Sequence, residues 1–171
     1  MNYIKRSIEE IVQKNNQTFK CILVTGARQT GKSTMLKKLF KDKKYVSFDD
    51  PFIEEQAKEN PNMFMVLNPP PAIYDEVQRV TDLFRYIKMK CDDEEKRGLF
   101  CLSGSQPFEL MKNVSESLSG RVGIIEMSGL SLREITGDCF NKPFLPTMEY
   151  VTERGKTVKQ TQNIWETIHR G

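Results

Sequence analysis

Cys21-Ile22-Leu23-Val24 is an apolar run of strand length, and Met35, Leu36, Leu39 and Phe40 follow it at helical spacing. The same alternation recurs along the chain. Tyr45-Val46-Ser47-Phe48, Ala72-Ile73-Tyr74, Leu99 to Ser105, and Val122 to Met127 read as four further strands. Between them lie helical patterns. Asp49-Asp50-Pro51 predicts an acidic cap with proline at the first helical position, and that helix ends before Pro61. Asn62 to Leu67 predicts a second short helix, and Pro69-Pro70-Pro71 then forces an extended connection. Thr81 reads as an N-cap for a helix whose buried stripe is Val80, Leu83, Phe84, Ile87 and Cys91. Ahead of the first strand, Ile4, Ile8, Ile11 and Val12 predict one apolar stripe of an amphipathic helix that Asn15-Asn16-Gln17-Thr18 breaks.

The later segments are less regular. Phe108, Leu110, Met111, Val114 and Leu118 suggest a broken helical segment, and Leu132 with Ile135 a short helix. Lys142 to Pro146 reads as a loop. Residues 151–171 are polar, with only Val151, Val158, Ile164, Trp165 and Ile168 to bury. Strands alternating with helices predict an α/β domain with a parallel sheet.

The turn between the first strand and its helix carries the clearest chemistry. Gly26-Ala27-Arg28-Gln29-Thr30-Gly31-Lys32-Ser33 fits G-x-x-x-x-G-K-[ST], in the strand–loop–helix context that the Walker A phosphate loop requires. Glycines let the main chain approach a phosphate, and successive N–H groups from Ala27 to Ser33 and on to Thr34 make an anion-binding nest at a helix start. Lys32 is placed to reach the β- and γ-phosphates, and the Ser33 hydroxyl to ligate Mg²⁺.

The third strand ends in Asp75-Glu76, the Walker B pattern. Ligands gather at the carboxyl edge of an open α/β sheet, so Asp75 is expected to hold Mg²⁺ and Glu76 to act as general base on a water. Adjacent strand residues point to opposite sides, which allows the two acids separate roles. Ser103 and Ser105, at the polar tip of the fourth strand, are candidates to sense the γ-phosphate or the water. An ordinary turn and helix cap accounts for them as well. Arg121, between Gly120 and the fifth strand, is a candidate to face a γ-phosphate in its own subunit or a neighbour's, and a surface arginine is the alternative. An arginine in that role contributes about 10³ to 10⁵ in rate.

Composition narrows this picture. The chain has 171 residues, 38% hydrophobic and 29% charged, enough for a globular core. No run approaches the ~20 apolar residues of a membrane span, and no apolar signal core follows Met1, so a cytoplasmic protein is the expectation. Net charge is +3, with 11 Lys/Arg against 5 Asp/Glu in residues 1–50. That suits a polyanionic ligand, although Lys37-Lys38 and Lys41 to Lys44 read mainly as a solvated face, and nothing specific supports nucleic acid. The four cysteines, Cys21, Cys91, Cys101 and Cys139, form no C-x-x-C pair, which argues against zinc. The lone His169 leaves little for histidine catalysis.

Six stretches together resemble a known family: Gly26 to Ser33, Tyr45 to Pro51, Ile73 to Gln78, Leu102 to Gln106, Ser117 to Val122, and Leu130 to Ile135. Residues 1–136 are similar to the AAA-type ATPases of bacteria and archaea that carry a C-terminal domain of unknown function. The resemblance implies a three-layer P-loop fold with a central parallel sheet of order 5-1-4-3-2. It implies ATP and Mg²⁺ as ligands and hydrolysis as the activity. It carries the Walker roles onto Gly26, Gly31, Lys32, Ser33, Asp75 and Glu76, and the family's Gly-Arg onto Gly120-Arg121. Where the family's sensor strand usually has Thr, this chain has Ser103. Members usually run to more than twice this length. Residues 137–171 therefore read as the start of a second domain, whether the chain is a fragment or a short form.

Two readings stay open: an ATPase, or a switch that binds ATP and signals through partners with little hydrolysis. A homo-oligomer or protein partner is compatible with both. A small-molecule kinase lacks support, because such enzymes usually carry an arginine-rich lid and no Glu after the Walker B Asp. A GTPase lacks it too, because Asn141-Lys142-Pro143-Phe144 has no Asp where the guanine-reading motif needs one.

Overall fold

The computed structural model describes residues 3–105, 112, 114, 116–138, 140 and 142–158. The chain divides into two compact units, one of Ser7–Gly129 and one of Met1–Arg6 with Leu130–Gly171.

The larger unit is built on five parallel strands: β1 (Cys21–Thr25), β2 (Lys44–Ser47), β3 (Ala72–Asp75), β4 (Phe100–Gly104) and β5 (Val122–Glu126). Their order is β2-β3-β4-β1-β5, the order the resemblance implied. An added strand, β4, thus separates the strand before the Gly-rich loop from the strand carrying Asp75.

Both faces of the sheet are covered, which is why its strands read as unbroken apolar runs. Along β1, Cys21 and Leu23 join one cluster with Tyr74, Phe100, Leu102 and Phe64, while Ile22 and Val24 join another with Val12, Met35, Ile73 and Cys101. Helices α3 (Pro51–Glu59), α4 (Pro61–Leu67) and α5 (Leu83–Asp93) supply the first cluster. Helices α1 (Glu9–Thr18) and α2 (Lys32–Leu39) supply the second. The Asp50 carboxylate accepts from Phe52 N–H at 2.9 Å and starts α3, with Pro51 at the first helical position. Tyr74 lies wholly buried in the first cluster, where its hydroxyl donates to Asn68 O at 2.5 Å. That anchor orients β3 so that its neighbour Asp75 falls on the α1–α2 face.

Three expectations need correction, and one further element was not foreseen. Helix α1 begins at Glu9 and runs through Asn15-Asn16-Gln17 to Thr18, with Ile11 54% exposed. The polar residues fit because Asn15 and Thr18 donate to the carbonyls of Ile11 and Lys14 one turn back. Thr81 caps nothing with its side chain. A 3₁₀ turn, Val77–Val80, leads through Asp82 into α5, although the stripe from Val80 to Cys91 is buried as expected. Lys43 is not part of a solvated face. Its ammonium is buried and donates to Asn16 Oδ1 (2.8 Å), Gly98 O (2.6 Å) and Cys101 Sγ (3.2 Å). Cys101 is a neutral buried thiol, since burial pushes it up to about 11. Finally, the polar stretch after residue 147 contains a helix.

That helix belongs to the smaller unit, with α6 (Leu132–Thr136) and α7 (Met148–Thr157). Ser131 and Glu134 form a capping box at α6, and Arg6 Nε donates to Glu134 Oε1 at 3.1 Å with both side chains 7% exposed. Thr147 Oγ1 caps α7 by accepting from Tyr150 N–H at 3.2 Å. Tyr150 packs edge-on against Phe140 and Phe144. The broken segment expected from Phe108 to Leu118 falls partly outside the described residues, and of its apolar positions Val114 and Leu118 are described, both buried. Cys139 and residues 159–171, with Ile164, Trp165, Ile168 and His169, also lie outside them.

Candidate nucleotide site

The Gly26–Ser33 loop joins the carboxyl end of β1 to α2. Gly26 has φ +141°, and a Cβ there would meet Met127 O at 2.1 Å, so only glycine fits. Gly31 takes φ +89° as the N-cap of α2, without a side chain to cap the helix. Gln29 also sits at positive φ, +62°. This backbone curls the loop, and the uncapped first turn of α2 presents N–H groups beside it. Ala27, Arg28, Gln29 and Gly31 are exposed on its rim, with Thr30 and Ser33 half-buried.

Lys32 is buried beneath that rim and donates to Gly26 O (3.0 Å) and Ala27 O (2.7 Å). Burial lowers its pKa, and the negative charges of Glu76 and Asp75 oppose that shift. The loop lysine and the two acids of β3 therefore share one electrostatic environment.

Asp75, only 4% exposed, has both carboxylate oxygens held. Ser103 Oγ donates to Oδ1 from β4, and Tyr45 Oη donates to Oδ2 at 2.7 Å from β2. Ser103 is itself fully buried, so it touches Asp75 and presents no exposed tip. Tyr45 was not legible as a site residue. It is β-strand residue and partly buried aromatic by type, and only the β2–β3 register, Tyr45 opposite Ile73 and Ser47 opposite Asp75, brings it to the acid. Its phenol is pushed up to about 12, first by burial and then by the bond to Asp75. Lys37 of α2 lies 4.3 Å from the centroid of the Tyr45 ring.

Glu76 lies just past β3 and adopts φ +59° and ψ +43°. Its separation from Asp75 thus comes from a left-handed turn, where strand alternation had been expected to supply it. Such a conformation in a non-glycine residue costs of order 1 kcal/mol and is typical of functional positions. Glu76 Oε2 accepts from Gln78 Nε2 and, at 3.2 Å, from Ser105 Oγ. Ser105, at the tip of β4, is the serine that meets the second acid. Gln78 was seen in the sequence only as part of a family stretch.

Arg121 does not join this group. It precedes β5, its carbonyl accepts from Cys21 N–H at the amino end of β1, and the two strands run parallel from there. The loop begins after Thr25, about five residues or roughly 16 Å of strand away. Arg121 instead pairs with Asp92 at the end of α5, Nε to Oδ1 at 2.5 Å and Nη2 to Oδ2 at 3.1 Å. The expectation that it serves a phosphate in its own subunit is corrected by that placement at the opposite edge of the sheet.

The site can therefore bind an anion on backbone N–H groups and a lysine, hold a hard cation on oxygen donors, and present one further carboxylate. The donor set of Ser33 and Asp75 suits Mg²⁺, which takes few protein oxygens. No helix among the described residues is long and apolar enough to cross a membrane.

A family model described as an AAA domain matches residues 18–136. An uncharacterized protein of Mycobacterium bovis is 30% identical over 125 residues, which cover 72% of this chain and 28% of that protein. An uncharacterized protein of Mycobacterium tuberculosis matches with the same identity and coverage. The chain thus spans less than a third of the length of these curated relatives.

Proposed function

The chain belongs to the AAA-domain family, and from that premise we propose that it binds Mg·ATP at the Gly26–Ser33 loop and hydrolyses it to ADP and phosphate. The observation that carries this reading is the convergence of Lys32, Asp75 and Glu76 at the carboxyl edge of β1, β3 and β4.

In this reading the loop N–H groups from Ala27 to Thr34 cradle the phosphates, and Lys32 turns its ammonium from the Gly26 and Ala27 carbonyls toward the β- and γ-phosphates. Ser33 and Asp75 would hold Mg²⁺, and Ser103 and Tyr45 fix the Asp75 carboxylate for that task. When bound, the ion would supply charge neutralisation for the phosphoryl group being transferred. Glu76 takes the proton of the attacking water. The test is equilibrium binding of labelled ATP and GTP to wild type and Lys32→Ala, with and without chelator. Metal-dependent ATP binding lost in the variant is the expected result. A GTP preference, or ATP binding that survives Lys32→Ala, contradicts the reading.

A further inference from the structure

We propose that Gln78 is part of the catalytic machinery: its amide nitrogen holds Glu76, and its amide oxygen accepts a hydrogen bond from the attacking water. This rests on the reading of Glu76 as general base.

The orientation of the amide is fixed by its neighbour. A carboxylate only accepts, so the side of Gln78 that faces Glu76 Oε2 is the NH₂ group, and flipping the amide would set oxygen against oxygen. Gln78 Nε2 also lies 3.3 Å from Ser105 Oγ, and Ser105 bonds the same Glu76 oxygen. Glu76, Gln78 and Ser105 thus close a ring of contacts in which both donors meet Oε2. Among the described residues no bond is made to Glu76 Oε1, which leaves it for base chemistry.

The other end of the amide is the telling one. Gln78 Oε1 is buried and meets no hydrogen-bond donor among the described residues. An orphaned buried acceptor is destabilising, and such groups in native proteins need a polar partner or a functional reason. Here it lies on the side chain that holds the proposed base. The turn that carries it is anchored: Val77 and Val80, on the same 3₁₀ turn, are 0% and 3% exposed in the core. A glutamine amide both donates and accepts, which is the combination that orients a water for attack on a phosphoryl group.

The water oxygen forms a bond to the γ-phosphorus, and the bond from that phosphorus to its bridging oxygen breaks with the electron pair leaving on ADP. The water proton passes to Glu76. Gln78 exchanges no proton and holds the water oxygen in line.

The experiment compares wild type with Gln78→Met, which keeps the length and removes the amide, and with Gln78→Asn. Phosphate release is read beside trapping of ADP–aluminium fluoride, which needs an in-line water, and of ADP–beryllium fluoride, which does not. For Gln78→Met the expected result is turnover down about 100-fold, unchanged ATP affinity, lost aluminium fluoride trapping and retained beryllium fluoride trapping. Equal aluminium fluoride trapping by wild type and Gln78→Met overturns the proposal alone. Loss of both complexes together with a fall in melting temperature makes Gln78 structural and overturns it too, as does full turnover in Gln78→Asn beside that fall. A wild type that binds ATP but never traps aluminium fluoride or releases phosphate overturns the Glu76 reading, and this proposal with it.

Discussion

The two edges of one sheet treat charge in opposite ways. At the amino edge, cations are neutralised or saturated in place. Arg121 forms a two-point pair with Asp92, Lys20 donates to Cys91 O at 2.5 Å, and Lys43 is enclosed by Asn16, Gly98 O and Cys101. At the carboxyl edge, Lys32 bonds loop carbonyls while two carboxylates near it are held by Tyr45, Ser103, Ser105 and Gln78. Hydroxyls and amides fix the acids without cancelling their charge. The difference teaches that residue type is a poor guide to role: a buried lysine is structural at one edge and, in the proposed reading, a ligand-binding group at the other.

Breaking that contrast should give effects that fall in a definite order. Lys32→Ala should weaken ATP binding about 100-fold, or ~3 kcal/mol, with little change in melting temperature, read by titration with a fluorescent ATP analogue. Lys43→Ala should do the reverse. It strands Gly98 O and leaves Asn16 Oδ1 to the weak Cys101 thiol donor at 3.5 Å, so a stability loss of about 1–3 kcal/mol in denaturant unfolding is expected with ATP affinity intact. Tyr45→Phe removes one bond from Asp75 and should raise the Mg²⁺ concentration for half-maximal turnover about fivefold, the worth of ~1 kcal/mol, while nucleotide binding in chelator stays unchanged. An unaltered Mg²⁺ dependence would show that Tyr45 does not position Asp75.

Tyr45 also makes an alkaline signature. Its folded pKa is raised from 10.0 to about 12, so the folded state keeps its proton where the unfolded chain loses it. That contribution to stability is complete below pH 10 and is lost as pH rises toward 12. Wild type should therefore lose more stability than Tyr45→Phe across that window in unfolding curves. The smallest effect is expected from Arg121→Ala, whose partner Asp92 is exposed: turnover at high dilution should stay within about twofold, because surface pairs contribute little. A large loss at dilution would contradict its placement away from the loop.

Much of the larger unit was legible because its signals are local. Apolar runs bounded by turn residues marked all five strands, and Gly26, Gly31 and Lys32 marked the loop at fixed spacing. Strand order came from resemblance and not from periodicity, since register is a property of pairing. What stayed hidden depends on contacts remote in sequence. Tyr45 meets Asp75, 30 residues on, and Lys43 meets Cys101, 58 residues on. Arg121 looked eligible for catalysis because small residues flank it, but only the parallel register shows which end of β5 it occupies. Helix α7 was missed because few apolar residues mark it, although Thr147 as a side-chain cap was a readable sign.

The central claim is that Glu76 activates water on ATP held by the loop. Single-turnover phosphate release from Mg·ATP, with bound ATP measured in parallel, tests it in wild type and Glu76→Gln. The account predicts that Glu76→Gln keeps ATP bound with wild-type affinity and loses at least about 100-fold in release. Equal, slow release from both proteins would contradict it and make the domain an ATP-binding switch.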